Sequence, residues 1–513
     1  MSMISSLGCV VNLLNPVTVF NHPVDACCKV FVILDPCHML KLMRNMLADK
    51  GTLVDVNGGK IKWDFLVELK KLQTKEGLRE GNKVTSRHIA WEKQKMKVNL
   101  AAQTLSSSVA EALEFCRDDL MLEEFKDCGA TVKFIRTVDR VFDTLNSRNP
   151  LAKGCKAPLR KSNEQFWRPF VLEAKQYLFD LKLSDGTRIC ESNRKTGVVG
   201  LIVSLTSFCH LFDDLVGDNK PLSYLLGYKF SQDHIELFFG AIRGCGGWNN
   251  NPTARQFKAA YKRLLVHHEV KASATGNAVP QQSTDLLIIS SRIEQKQDEA
   301  GAVYAVELCT SRTNYALASQ PELSDHDYAN LPNLKALSMY VENVAVYIAG
   351  LVVRKLVDKV SCQECKLSLV APPRNIDECN VDRDRHTALL DRKNRGGLLI
   401  PSYDVVTVCK VCERSYRTRL NSSMGKPPAG KMEKAKLVSE VLNIFSISDV
   451  FSALKDHLLD TDAMLDHRVL LLKLIANTYL SVQFYHTGKL FTHRLQRYKI
   501  RSVLSKTIIF KGQ

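Results

Sequence analysis

The stretch Ser231-Gln-Asp-His-Ile-Glu-Leu-Phe-Phe-Gly-Ala-Ile-Arg243, followed by Gly246-Gly-Trp-Asn-Asn-Asn-Pro-Thr-Ala-Arg-Gln-Phe257, sets two acids among aromatic and basic residues. Asp233 and Glu236 are three apart, so on a helix they share a face. A carboxylate on a helix that buries Ile235, Phe238 and Ile242 costs free energy unless it meets a cation, and a divalent metal holding phosphate oxygens is one such partner. That is the chemistry of metal-assisted phosphodiester cleavage. An amphipathic helix with a solvated acidic edge has the same periodicity.

Working back along the chain, Lys29-Val-Phe-Val-Ile-Leu-Asp35 reads as a buried strand ending in an acid. Pro36-Cys-His-Met-Leu-Lys-Leu-Met-Arg-Asn45 reads as the helix that follows. Asp35 thus stands at the C-terminal end of a strand, where open α/β sheets place functional groups, although an N-cap before a proline-led helix would also explain it. The segment from Ser231 to Phe257 resembles the last catalytic block of P-element-type transposases, the family that includes the THAP-domain transposases. There a Gln-Asp-His-x-Glu-x-Phe-Phe helix supplies the final acid of an RNase H-like active site. The Asp-x-x-His-x-x-Lys-x-x-Arg-Asn pattern from Asp35 to Asn45 resembles the block that carries the second catalytic acid. The resemblance implies Asp35 and Glu236 as ligands of Mg2+ or Mn2+, with Asp233 beside them as a helper or nucleotide-side group.

Between Asp35 and Glu236 lie 200 residues, too many for a connection within one sheet domain. From Ile61 to about Cys209 the pattern is largely helical: Trp63, Phe65, Leu66, Leu69 and Leu72 form one stripe, and Val98 through Leu113 another. Thr131–Asn146 reads as a further helix, stopped at Ser147-Arg-Asn-Pro150. This insertion resembles the helical GTP-binding domain that interrupts the RNase H-like domain of the same family, in Trp63-Asp-Phe, Lys95–Ser108 and Phe142-Asp-Thr-Leu-Asn-Ser-Arg-Asn-Pro150. The chain carries no complete P-loop; the nearest pattern, Gly425 to Lys431, continues into Met432 and follows no strand. By resemblance Asp143 reads the guanine, Asn146 stands beside it, and Lys83 and Lys97 contact phosphates.

The 513 residues carry a formal charge of +17, which suits a polyanionic partner. No apolar run reaches the roughly 18–20 residues that span a bilayer, and the opening residues lack the layout of a signal peptide, so a protein neither secreted nor membranous is expected. The 16 cysteines are scattered, as reduced core thiols of the cytosol or nucleus would be. Two pairs are different. Cys362-Gln-Glu-Cys365 and Cys409-Lys-Val-Cys412, with 43 residues between them, could hold one tetrahedral Zn2+ or be paired core thiols, with Cys379 and His386 as substitute ligands. The run Ile348–Lys355 leading into the first pair resembles the C-terminal region of the family, which contacts transposon DNA. His493–Arg501 is a basic helix suited to phosphates or to a solvated face.

The expected architecture is α/β plus α. An RNase H-like catalytic domain in two pieces, 1–53 and 219–270, is interrupted by a helical GTP-binding domain, 54–218. A linker, 271–335, leads to a helical C-terminal domain, 336–513, with the two cysteine pairs. The resemblance implies a nuclear, homo-oligomeric DNA transposase that cleaves and transfers strands with GTP as cofactor and binds transposon ends and target. Nothing ahead of Asp35 has the layout of a THAP finger, and Asp25 is too near Asp35 to be the first catalytic acid of a nucleotidyl-transfer site with three acids. The expectation is therefore a truncated, catalytically incomplete transposase, or a domesticated non-catalytic derivative that keeps the fold to bind DNA or protein.

Overall fold

Glycine and proline punctuation sets the first elements. In the computed structural model, α1 (Ser2–Ser6) precedes an antiparallel hairpin of β1 (Val19–Asn21) and β2 (Lys29–Phe31), with Val19 opposite Phe31. The expected strand to Asp35 is therefore only three residues long. Beyond Phe31 its polar groups turn elsewhere: Val32 N–H donates to the Thr18 carbonyl, and two serines of a later helix take over from there. Asp35 caps α2 (Pro36–Lys50), which ends at Gly51, whose φ of 68° only glycine adopts without strain.

The structure describes residues 2–11, 14–25, 27–245, 251–266, 337–371, 381–422, 431–446, 448–454, 457 and 466–485. They fall in two units: the larger takes the described residues up to 234 and from 337 on, the smaller those from 235 to 266. Within the larger unit, β3 (Thr52–Val54) and β4 (Lys60–Lys62) form a second hairpin. There follow α3 (Asp64–Glu76), α4 (Ser86–Ile89), α5 (Val98–Thr104), α6 (Ser107–Glu114), α7 (Gly129–Leu145) and α8 (Glu164–Phe179). β5 (Lys182–Leu183) then joins β3 to complete a three-stranded antiparallel sheet, ordered β4-β3-β5, and α9 (Thr196–Leu215) closes the set. The expected single stripe from Val98 to Leu113 breaks at Leu105–Ser106, because Asp139 of α7 accepts from the Ser107 N–H at 2.9 Å and starts a new helix there.

The core of this region is apolar and closely packed around Leu40, Met43, Leu47, Leu53, Ile61 and Leu66 from the first elements, with Phe134, Ile135 and Val138 of α7. α9 is its centre. Contrary to the sequence expectation, α9 is long and apolar enough to cross a membrane, yet 72% of its most apolar window is buried inside the protein. Its polar residues explain the difference. Ser204 Oγ accepts from Leu34 N–H and donates to the Leu34 carbonyl, both at 3.0 Å, and Ser207 Oγ donates to the Val32 carbonyl. A helix thus stands in for a neighbouring strand, satisfying the backbone that leads to Asp35.

The smaller unit holds α10 from Ile235 and α11; the full bounds are Asp233–Cys245 and Ala254–Val266. Phe238, Phe239, Phe257 and Tyr261 bind these two helices, Phe238 meeting Tyr261 edge-on at 5.9 Å and Phe257 stacking on Tyr261 at 6.2 Å. Ile242 is buried as expected, but Ile235 is 46% exposed.

The remaining elements belong to the larger unit: α12 (Met339–Val357), α13 (Gln363–Leu369), α14 (Val381–Lys393), α15 (Tyr403–Ser422), α16 (Lys431–Phe445) and α17 (467–485). Val344, Val352, Val408, Val441, Ile475 and Tyr479 make their common core. Cations after and at the end of α14 lock it to α6 and to the helical turn Phe115–Asp119 that follows: Arg392 pairs with Asp119, and Lys393 and Arg395 both reach Glu111, at 3.1 and 2.7 Å. The linker, Cys379 and the basic run His493–Arg501 lie outside the described residues, as does the side chain of His386.

Candidate functional site

The acids Asp35 and Asp233 converge on one buried thiol. Asp35 is 6% exposed; its carboxylate accepts from the N–H groups of Cys37 and His38, and His38 Nδ1 lies 3.4 Å away. Burial first, then the Asp35 and Asp233 carboxylates, push the Cys37 thiol up to about 12, while Arg148 and Lys41 pull the other way. Asp233 is buried and faces Arg148 at 3.6 Å. Arg148 in turn lies over the Tyr228 ring, 3.8 Å from its centre, and Tyr228 hydrogen-bonds to Asp233. Burial, opposed by Arg148 and reinforced by Asp233, raises that phenol to about 12. Asp233 is thus the anchor of a cation and a tyrosine, which differs from the shared acidic face expected of Asp233 and Glu236. Glu236 is exposed on α10.

The rest of the Asp35–Asn45 block is structural. Arg44 is fully buried, and its guanidinium donates to the carbonyls of Gln94 and Lys95, as Asn45 does to Lys95. Burial lowers Arg44 to about 10. These bonds fix the turn that leads into α5, at whose N-cap Lys97 stands.

A second cluster forms on α7. The Asp143 side chain is 23% exposed, and its carboxyl is raised to about 6, by burial first and by the Asp139 carboxylate second, against the pull of Lys156 and Arg395. Lys156 Nζ lies 3.7 Å from it. Asn146, at the C-terminal end of α7, accepts from Arg148 at 3.3 Å and so connects this cluster with the Asp233 cluster. Lys83 is exposed. The lysine at Asp143 is Lys156, which sequence reasoning passed over although it follows the Phe142–Pro150 motif by six residues.

The cysteines divide differently from the expected four-thiolate set. Cys362 and Cys365, at the start of α13, gather with His457 and His467, with one ligand atom of each lying within 4.8 Å of the others. Cys409 and Cys412 do not join them; they lie one turn apart on α15, fully buried among apolar residues of the C-terminal core. Burial pushes both thiols far up, as for core cysteines.

Three family models match successive parts of the chain: a TNP-like GTP-binding insertion domain over residues 37–158, a TNP-like RNase H C-terminal domain over 228–262, and the C-terminal domain of DNA transposase THAP9 over 336–489. Human DNA transposase THAP9 is 28% identical over 468 residues, 90% of this chain and 50% of the relative. The chain is homologous to the P-element-type transposases. The transposable element P transposase of Drosophila melanogaster is 26% identical over 353 residues, covering 66% of this chain and 42% of that protein. The chain spans about half the length of the curated relatives it matches. The solved Drosophila P element transposase strand transfer complex aligns at a TM-score of 0.45 and 26% identity, over 52% of this chain and 57% of that one. The Asp143 cluster lies within the match to the GTP-binding insertion, and Asp233 and Glu236 within the match to the RNase H C-terminal domain of these transposases.

Proposed function

We propose that this chain is a P-element-like DNA transposase polypeptide that binds transposon ends and target DNA in the nucleus, as a homo-oligomer, with GTP as cofactor. The observation that carries the reading is Asp143. A carboxyl group withdrawn from water beside a lysine and within reach of an arginine fits a guanine, whose N1–H and exocyclic amine donate to one carboxylate while nearby cations meet phosphates. Asp143 takes the base, and Lys156 and Arg395 supply positive charge beside it. Asn146, Lys83 and Lys97 remain proposed contacts of the same ligand.

By the family resemblance, Asp35 and Glu236 remain the proposed holders of a divalent ion. Asp35 accepts from two backbone N–H groups and lies 3.4 Å from His38 Nδ1, and Glu236 is exposed. Mg2+ or Mn2+ held there would supply the activation of a water or 3'-hydroxyl for attack on a DNA phosphate. Asp233, proposed as a helper beside them, pairs with Arg148 and Tyr228 and would act by holding these two in place. Asp25 shapes the turn before β2, accepting from the Cys27 N–H at 3.1 Å.

The ion pair that engages Asp233 favours a second reading, a derivative that keeps the fold for binding DNA or protein. The test is a strand-cleavage assay on terminal-repeat DNA with Mg2+ or Mn2+. Binding without cleavage is expected. Robust cleavage that disappears in Glu236→Gln would overturn the second reading and assign catalysis to this chain.

A further inference from the structure

We infer that Cys362, Cys365, His457 and His467 form a tetrahedral Zn2+ site that pins the start of α13 to the start of α17. Cys362 Sγ lies 3.0 Å from His457 Nε2, and Cys365 Sγ lies 3.2 Å from His467 Nδ1. The two rings meet edge-on with centres 4.5 Å apart. Ligand atoms at the corners of a zinc tetrahedron, with bonds of about 2.0–2.3 Å, stand roughly 3.3–3.8 Å from one another. The four groups, whose ligand atoms all lie within 4.8 Å of one another, are therefore already close to that spacing.

Each contact comes from a different part of the fold. Cys362 is the residue before α13 and Cys365 lies in its first turn, so the Cys-x-x-Cys spacing turns both sulfurs to one side. His467 opens α17, and His457 follows the short turn Ser452–Leu454, which itself packs on the C-terminal core. Cys365 and His467 are nearly inaccessible, at 4% and 6% exposure, while Cys362 and His457 are half-buried. This leaves the centre sheltered but open to an entering ion. His467 Nε2 is buried with no hydrogen-bond partner among the described residues. Two thiols and two imidazoles brought together over about a hundred residues of chain gain little as hydrogen-bonded pairs, whereas a soft-donor S2N2 set is a standard zinc ligation.

The site stands apart from the GTP and DNA roles proposed above and survives if they fail. It acts on folding, because its ligands meet only when α13 and α17 are docked and binding then stabilises that state. The test uses the full chain, purified reduced and without added metal. Elemental analysis is expected to give about one zinc per chain, and Co2+ exchanged into the site to give the intense visible spectrum of a tetrahedral S2N2 complex. His457→Ala and Cys365→Ser should each lose the metal, whereas Cys409→Ala and Cys412→Ala should keep it. His467→Cys keeps a ligand at that corner and should keep the ion with a shifted cobalt spectrum. Folded wild-type protein without zinc, or an S4 cobalt spectrum, or zinc lost in Cys409→Ala and kept in His457→Ala, would each overturn the site.

Discussion

Asp143→Asn is expected to erase the preference for GTP over ATP while making the nucleotide-free protein more stable. In the proposed binding mode the two guanine donors meet one carboxylate, and a charged hydrogen bond contributes about 1.5–3 kcal/mol, so the variant should lose roughly 10- to 100-fold of its discrimination. An asparagine offers one acceptor and opposes the other donor with its own N–H. The acidity of Asp143 adds a pH signature. With its carboxyl raised to about 6, GTP affinity should climb through pH 6 and level off above pH 7, and the variant should show no such climb. Stability runs the opposite way. The folded protein retains the proton that the unfolded chain has already released, so stability falls as pH rises from about 4 to 6 and stays lower above that range. Discounted for partial contact with water, the penalty at pH 7 is about 1–2 kcal/mol, and Asn removes it. Thermal unfolding with and without nucleotide at pH 5 and 7.5 measures both effects, and an unchanged GTP preference in the variant would refute the assignment.

Glu413→Ala is expected to destabilise the larger unit by about 3–5 kcal/mol, since removing one partner of a buried charged network strands the others. Glu413 is 1% exposed and accepts from Tyr479 at 2.9 Å, Gln483 at 2.7 Å and Arg417 at 2.7 Å. Arg417 also donates to the Glu76 carbonyl at 2.6 Å, so the network ties α15 and α17 to the end of α3. Truncation leaves a guanidinium, a phenol and an amide without their acceptor. Glu413→Gln keeps an oxygen and should cost less than half as much. Chemical denaturation of the two variants decides it; equal stabilities of Ala, Gln and wild type would show that water replaces the carboxylate.

The helices were legible where periodicity and punctuation agree. Pro36 and Gly51 bracket α2, and the apolar repeat of Val132, Ile135, Val138 and Val141 marks α7. What failed were features decided by distant groups. The stripe from Val98 to Leu113 carries no internal sign of a break, because the break is made by Asp139, 32 residues beyond Ser107. The strands β3, β4 and β5 are two or three residues long, too short for alternation to register. Spacing put Asp233 and Glu236 on one face, but it could not show that Arg148, from the end of the α7 motif, claims the first of them. Cys409-Lys-Val-Cys412 has the spelling of a metal knuckle, yet inside a continuous buried helix the same spacing is simply one apolar stripe. The partners that Cys362 and Cys365 do meet, His457 and His467, lie about a hundred residues away with no motif to join them.

On the proposed function, this chain holds DNA with guanine nucleotide as its cofactor. The most direct measurement is a fluorescence-anisotropy titration of labelled terminal-repeat duplex into the full chain, run with GTP, with ATP and with no nucleotide over a range of salt. The account predicts saturable binding whose affinity falls steeply as salt rises, as phosphate neutralisation by a chain of charge +17 requires, and which GTP strengthens while ATP does not. The absence of binding at low salt, or curves that superimpose in all three nucleotide conditions, would contradict it.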